Sequence, residues 1–462
     1  METSFRKKYF ADKSFYKNVI LLVIPMILQA AVTNFVSLLD NIMVGQIGTV
    51  QMSGVSIVNQ YIFIFNLTIF GAVSGPGIFG TQFYGKGDAE GQKYTVRYRL
   101  IMALIISAVS ILLLTFAGTP LIRLFLSTDD SPELVAQTLQ YGLEYLGVIV
   151  CSTLPFAVGQ VYASVIRECG ETKVPMLASF AAVAINIVLD YCLIFGKLGL
   201  PEMGVAGAAW ATVIAKVIEA GIMICWSHTH LSKFRWAVGL YKGFRIPGDL
   251  FRRILIKSLP LLFNEFLWAL GMSVVAQCYS VRGLDVVAAR NIASTLSNMF
   301  SVVYVQIGAG IGIVIGQYLG AGRHDEAQRR SKHLVMFSII VSLIVAVILI
   351  PVAFIFPEAY NTEAAVKKIA VFMILIQAAA TPVCSYANAC YFILRSGGKT
   401  GITFLFDFGF SWFVMIPLAV ILCYCTSISI YPIFAVVTLS EGLKCIVGYF
   451  LVKTGKWVNT II

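Results

Sequence analysis

The chain has 462 residues, 58% of them hydrophobic and 12% charged, with a mean hydropathy of +0.85. A soluble globular protein is about 45–50% apolar and about 25% charged, so a soluble enzyme of this size is excluded. The 32 Phe and 20 Tyr exclude disorder. What remains is a polytopic membrane protein, and the excess of 34 Lys and Arg over 23 Asp and Glu reads as loop charge, with no nucleic-acid partner.

Residues 1–17 carry Arg6, Lys7, Lys8, Lys13 and Lys17, with no small-residue cleavage site after the apolar run that follows. That run is therefore expected to be a retained span and not a signal peptide. A spanning helix needs about 20 largely apolar residues. Twelve stretches meet this: 18–44, 54–82, 100–125, 137–166, 174–195, 205–226, 258–280, 287–318, 334–356, 369–394, 401–425 and 432–452. Gly85-Lys-Gly-Asp88, Asp129-Asp-Ser-Pro132, Gly199-Leu-Pro-Glu202, the segment from Gly320 to Asp325 and Gly397-Gly-Lys399 punctuate them. Most of the ten cysteines, including Cys151, Cys192, Cys225, Cys278, Cys384 and Cys390, fall in apolar runs without a Cys-x-x-Cys pair. They read as small buried hydrophobes.

With these spans, 26 of the 34 cations gather on one side. They include the N-terminal five, Lys86, Arg99, Arg167, the run from Lys233 to Lys257, Arg323 to Lys332, Arg395 and Lys456. The positive-inside rule then places both termini in the cytoplasm, for a multi-pass protein of the cell membrane.

The chain repeats itself. At an offset of 235, Pro25, Gly75, Gly77, Gln82, Gly85 and Gly87 match Pro260, Gly310, Gly312, Gln317, Gly320 and Gly322. Beyond the Asp129 loop the offset is 228, pairing Arg167 with Arg395, Gly170 with Gly398, Thr172 with Thr400 and Lys216 with Lys444. Six spans per half is an even number, so both halves enter the membrane in the same sense, as a parallel repeat with substrate expected between them. The expected organisation is an all-α integral membrane protein of two six-helix lobes, 1–226 and 258–462, joined by a basic cytoplasmic linker at 227–257.

Ionisable groups inside spans are costly unless they face a partner or a cavity, so each is a functional candidate. Asp40 shares a face of the first span with Ser37 and Thr33. In the fifth span Asn186 and Asp190 stand four apart on one face. Both carboxylates fall in the outer half of the first repeat, where two acids and an amide can share a proton or coordinate Na⁺. A helix-capping acid at the membrane edge is the plain alternative for Asp40. In the second half Glu265 and Asp407 both fall before their span centres, as partners in a site or as structural charges. Lys216 with Glu219, and Glu441 with Lys444, are three apart and read as neutralisation within one helix. Pro25 and Pro260 each permit a kink. Gly397-Gly398-Lys399-Thr400 imitates the end of a phosphate loop, but Ile393 stands at its first required glycine. With no loop long enough for an ATPase, transport would draw on an ion gradient.

These residues resemble the multidrug and toxin extrusion (MATE) family across nearly the whole chain. The resemblance rests on Pro25 through Leu39-Asp40-Asn41-Ile-Met-Val-Gly45, on Gly80-Thr-Gln-Phe-Tyr-Gly-Lys-Gly-Asp88, on Asn186 with Asp190, and on Gly204-Val-Ala-Gly-Ala-Ala-Trp-Ala-Thr212. It implies a monomeric antiporter exporting organic, often cationic, drugs and toxins by alternating access against H⁺ or Na⁺, with no other cofactor and no enzymatic activity. It further implies that Asp40, Asn186, Asp190 and Thr212 form a first-lobe cation site. Glu265 resembles the seventh-span acid of members, and Asp407, ahead of Trp412 and Pro417, a feature of one bacterial branch. The alternative is a lipid-linked oligosaccharide flippase of similar bundle, which favours a cationic cavity where this chain offers acids. A membrane-embedded transferase would need clustered acidic metal ligands or a cytoplasmic-face His, and the sequence presents neither.

Overall fold

The computed structural model describes residues 9–126 and 131–462. Among them twelve helices are long and apolar enough to cross a bilayer. They are α1 Lys13–Gly45, α2 Thr49–Lys86, α3 Ala89–Arg123, α4 Pro132–Glu168, α5 Lys173–Phe195, α6 Gly204–Thr229, α7 Gly248–Ser280, α8 Leu284–Gly320, α9 His324–Ala359, α10 Ala364–Ser396, α11 Thr400–Tyr424 and α12 Ile430–Lys453. Each of the twelve expected runs overlies one of them, and the described residues contain no strand. The helices overrun the apolar stretches mainly at polar ends. The first turns of α3 carry Lys93, Arg97 and Arg99, because backbone hydrogen bonding continues past the point where apolar character stops. Arg6, Lys7, Lys8 and the Asp129-Asp130 part of the expected turn lie outside the described residues. The remainder of that turn starts α4: Ser131 Oγ accepts from the Leu134 N–H at 3.3 Å, with Pro132 in the first helical turn.

Three of the described helices depart from regular winding. α4 tightens to a 3₁₀ turn at Val150–Ser152 and α9 ends in one at Phe356–Ala359. α11 widens into π-helical turns at Leu405–Gly409 and Ser411–Met415, just before Pro417. Proline lacks an N–H and its ring crowds the carbonyl four residues back, so a regular α ladder cannot run through that point.

The chain divides into two compact units. One holds Leu28–Gly80 and Ala89–Leu255. The other holds Ile256–Ile462 with the described residues of Met1–Ile27 and with Thr81–Asp88. The boundaries therefore fall inside α1, just after Pro25, inside α2 and inside α7, between Leu255 and Ile256, where the sequence reading had kept α1 and α2 whole in the first lobe. The first unit has a core of Phe65, Ile69, Val161, Tyr162, Phe234 and Trp236. The expected linker is docked there: Arg97 donates to the carbonyls of Gly239, Leu240 and Arg245 at 3.0–3.2 Å. In the second unit Val19, Val23, Ile311, Leu319, Leu334, Ile393 and Trp457 share a core.

The 235-residue register is visible as a reciprocal contact inside the second unit. The α-carbon of Gly85 lies against the backbone of Gln317, and that of Gly320 against the backbone of Gln82. A Cβ at either glycine would overlap the facing main chain, so the helix ends approach this closely only because both positions lack one. Gln82 Nε2 then donates to the Ser396 carbonyl at 2.9 Å, and its Oε1 accepts from the Ile461 N–H at 2.8 Å. All ten cysteines are free thiols, but Cys151 and Cys225 are exposed on their helices instead of buried.

Candidate functional site

In the first unit, α1 and α5 bring together the acids singled out from the sequence. Asp190 is 1% exposed and Asn186, one turn earlier on the same face, is 5% exposed. The Asp40 and Asp190 carboxylates lie within hydrogen-bonding reach of each other. Among the described residues no donor reaches either oxygen of Asp190 or Asp40 Oδ1, and Asn186 Nδ2 has no acceptor. Buried polar atoms are otherwise almost always paired. Thr33 and Ser37, which share the Asp40 face, turn their hydroxyls back onto the Gln29 and Thr33 carbonyls at 2.9 and 3.2 Å. Two facing carboxylates without protein donors can hold a proton or a small cation between them.

Around this pair stand residues the sequence had named, Lys216, Glu219 and Thr212, and others it passed over, Tyr145, Ser179 and Gln29. Tyr145 on α4 is within electrostatic reach of both acids, and its hydroxyl donates to Asn59 Oδ1 at 3.1 Å. Lys216 on α6 acts electrostatically on Asp40 while its Nζ donates to Glu219 Oε2 at 3.0 Å. Glu219 also accepts from the Ser179 hydroxyl, which in turn accepts from Gln29 Nε2 at 2.8 Å. Thr212 is half-buried one turn before Lys216.

The second unit has a different centre. Asp407, in the first π-helical turn of α11, accepts from Lys444 Nζ through Oδ1 and from Asn264 Nδ2 at 3.0 Å through Oδ2. Glu441 Oε2 stands 3.7 Å from the same ammonium. The lysine expected to neutralise its own helix therefore bonds first to an acid on another. Glu265 is half-buried beside Asn264 and feels the charges of Asp407 and Arg395. Trp412 Nε1 donates to the Leu267 carbonyl at 3.0 Å and ties α11 to α7.

The two centres share a register. Gln29 and Asn264 are 235 apart, while Ser179 and Asp407, like Lys216 and Lys444, are 228 apart. In each unit the amide donates to the residue on the fifth or eleventh helix, and the lysine bonds the acid bound there. The residues differ in kind between halves, so a search for identical residues passes over Gln29, Ser179 and Asn264.

Comparison with known proteins follows this geometry. The MatE family model matches residues 25–192 and 260–425. A probable multidrug resistance protein NorM of Thermotoga maritima is 26% identical over 343 residues, 74% of this chain and 70% of that protein. Its Photorhabdus laumondii namesake is 25% identical over 88% of this chain and 87% of its own. Among solved structures, a MOP superfamily transporter from Pyrococcus furiosus superposes with a TM-score of 0.84 at 17% identity, covering 95% of each chain. An aspartate-to-asparagine mutant of the Vibrio cholerae MATE transporter VcmN gives 0.81 at 19% identity, covering 96% of this chain and 97% of the other.

Proposed function

The chain belongs to the MatE family of membrane transporters, and from that premise we propose that it is an antiporter exporting organic cations against an inward gradient of H⁺ or Na⁺. The similarity to multidrug resistance proteins supports the drug-like substrate class. One observation carries the coupling: half-buried Asp40 and buried Asp190 face each other, and among the described residues no donor reaches Asp40 Oδ1 or either oxygen of Asp190.

Two carboxylates so placed repel each other until a cation joins them. A proton bound by one can be donated to the other, and the two acids then titrate as a unit. Na⁺ at the same place would draw on both carboxylates, the Asn186 carbonyl oxygen and Thr212, since it is a hard cation that prefers oxygen. Arrival of the ion from outside neutralises the pair and lets α1 shift about Pro25. Its departure restores the anionic pair, which draws the next cation. Lys216, already near Asp40, lowers the cost of the interval in which the pair is charged. The protein works as a monomer with both termini in the cytoplasm, as the loop cations imply.

The test is efflux of a fluorescent cation from proteoliposomes under separately imposed proton and sodium gradients. Efflux driven by either one supports the reading and identifies the ion. Efflux indifferent to both gradients would overturn it. Orientation is checked with a single cysteine at Arg245 in a cysteine-free background. Labelling of that cysteine from outside intact cells reverses the topology.

A further inference from the structure

The acid centre of the second unit is built like a receptor for an organic cation, and it is already full. The ammonium of Lys444 bonds to Asp407, lies 3.7 Å from Glu441, and stands over the rings of Phe406 and Phe410 at 5.4 and 5.8 Å. Carboxylates and aromatic faces converging on one positive charge are the chemistry that recognises alkylated or delocalised ammonium groups. We propose that this centre is a substrate-cation site whose resting occupant is the chain's own Lys444, and that an arriving organic cation takes the place of the ammonium. This rests on the reading of the protein as a cation exporter.

Three observations separate such a site from an ordinary buried ion pair. The acids outnumber the cations: Asp407 and Glu441 share Lys444, and beside them Glu265 faces Asp407 and Arg395, three carboxyl groups to two cations. A structural pair in a membrane interior is balanced, because each uncompensated charge is expensive there. The carbonyl oxygen of Asn264, a residue 2% exposed, has no donor among the described residues although its amide holds Asp407. A ligand with an N–H or a polarised C–H would satisfy it. The backbone that carries Asp407 and Phe406 is wound in a π turn, and Phe410 joins it to the next one, a stretch that lacks the regular ladder and tolerates adjustment.

A tethered lysine solves a problem that every cation exporter faces. An acidic cage left empty in low dielectric would hold its substrate too long or collapse the open state. A lysine that swings in on release neutralises the cage and speeds departure, while affinity for the incoming cation is reduced by the competition. The site should then discriminate by charge: a neutral molecule of the same shape gains nothing by displacing the ammonium.

The experiment uses the full-length protein in nanodiscs, with tetraphenylphosphonium as the permanent cation and triphenylphosphine oxide as its uncharged counterpart. Lys444→Gln should bind tetraphenylphosphonium about tenfold more tightly than the parent, with triphenylphosphine oxide unchanged and Lys444→Arg near the parent. Adding Asp407→Asn to Lys444→Gln should erase the gain, which places it at this cage. Should Lys444→Gln alone fail to fold, Lys444→Gln/Glu441→Gln keeps one acid, lowers the buried charge, and should show the same tighter binding. Unchanged or weaker cation binding by folded charge-removed variants overturns the proposal, leaving Lys444 a structural counter-ion. If the parent exports no organic cation while it binds triphenylphosphine oxide, the cation-exporter reading fails first, and the tethered-lysine proposal falls with it.

Discussion

The two units answer the same electrostatic problem in opposite ways. In the first, the lysine of the repeat bonds to Glu219 three residues further along its own helix, and among the described residues no donor reaches Asp190 or Asp40 Oδ1. In the second, the equivalent lysine crosses to another helix and occupies Asp407. The first unit thus leaves carboxylate oxygens without a donor among the described residues, while the second covers its acid with a group of its own. On the proposed reading, the first half suits the coupling ion and the second an organic cation. The same amide–acid–lysine frame serves both, and what changes is the helix that contributes the carboxylate.

The largest effect that can break this contrast is the loss of Asp40. Asp40→Asn keeps the side-chain volume and removes a half-buried charge, so folding should survive while gradient-driven efflux falls to that of vesicles without protein. Asp407→Asn should instead retain a response to the gradient and lose cation affinity. Efflux assays with expression checked in parallel decide between them. If both variants fail in the same way, the two halves do not divide the work.

The next effect concerns whether the first-half acids act as one unit. Asp40→Asn, Asp190→Asn and the double variant should show nearly equal losses of efflux, since groups sharing one ion are strongly non-additive. A double variant whose loss is the product of the singles would show two independent sites.

How much of this contrast can be read from the chain alone depends on the kind of signal. Spans such as α8 and α9 are legible because about 20 apolar residues in a row have few other solutions. Asp40, Asn186 and Asp190 stand out because polar groups are rare against that background. The repeat is legible where both copies kept the same residue, as at Gly85 and Gly320. It is silent where function diverged: nothing in Ser179 announces that it stands where Asp407 does. The partner of Lys444 is likewise hidden, because spacing reveals the Glu441 three residues away and says nothing of an acid on the preceding span. The π winding of α11 has only Pro417 as a sequence sign, and the partition of α1 and α2 between units has none beyond Pro25.

A smaller effect tests the repeat where the halves agree. Gly85→Ala and Gly320→Ala each place a Cβ into facing backbone. Relief requires the helix ends to separate, which typically costs about 1–3 kcal/mol. Because the contacts are reciprocal, the two variants should lower the thermal midpoint of the purified protein by similar amounts. A large inequality would show that the register is a resemblance in sequence without a matching load.

The smallest effect returns to the amides that open each frame. Gln29 donates to a hydroxyl, that of Ser179, whereas Asn264 donates to the carboxylate of Asp407. Interhelical hydrogen bonds within membranes average only about 0.6 kcal/mol, with a ceiling near 1.7 kcal/mol. A bond to an ionised acceptor belongs toward the upper end of that range. Asn264→Ala should therefore destabilise the protein more than Gln29→Ala, by about 1 kcal/mol, read as the difference in thermal midpoint. The ordering rests on Asn264 donating to a carboxylate whose other oxygen is held by Lys444. If the two amides cost the same in the parent, Asp407 carries no more charge toward Asn264 than a hydroxyl does, and the contrast between the halves loses its electrostatic basis.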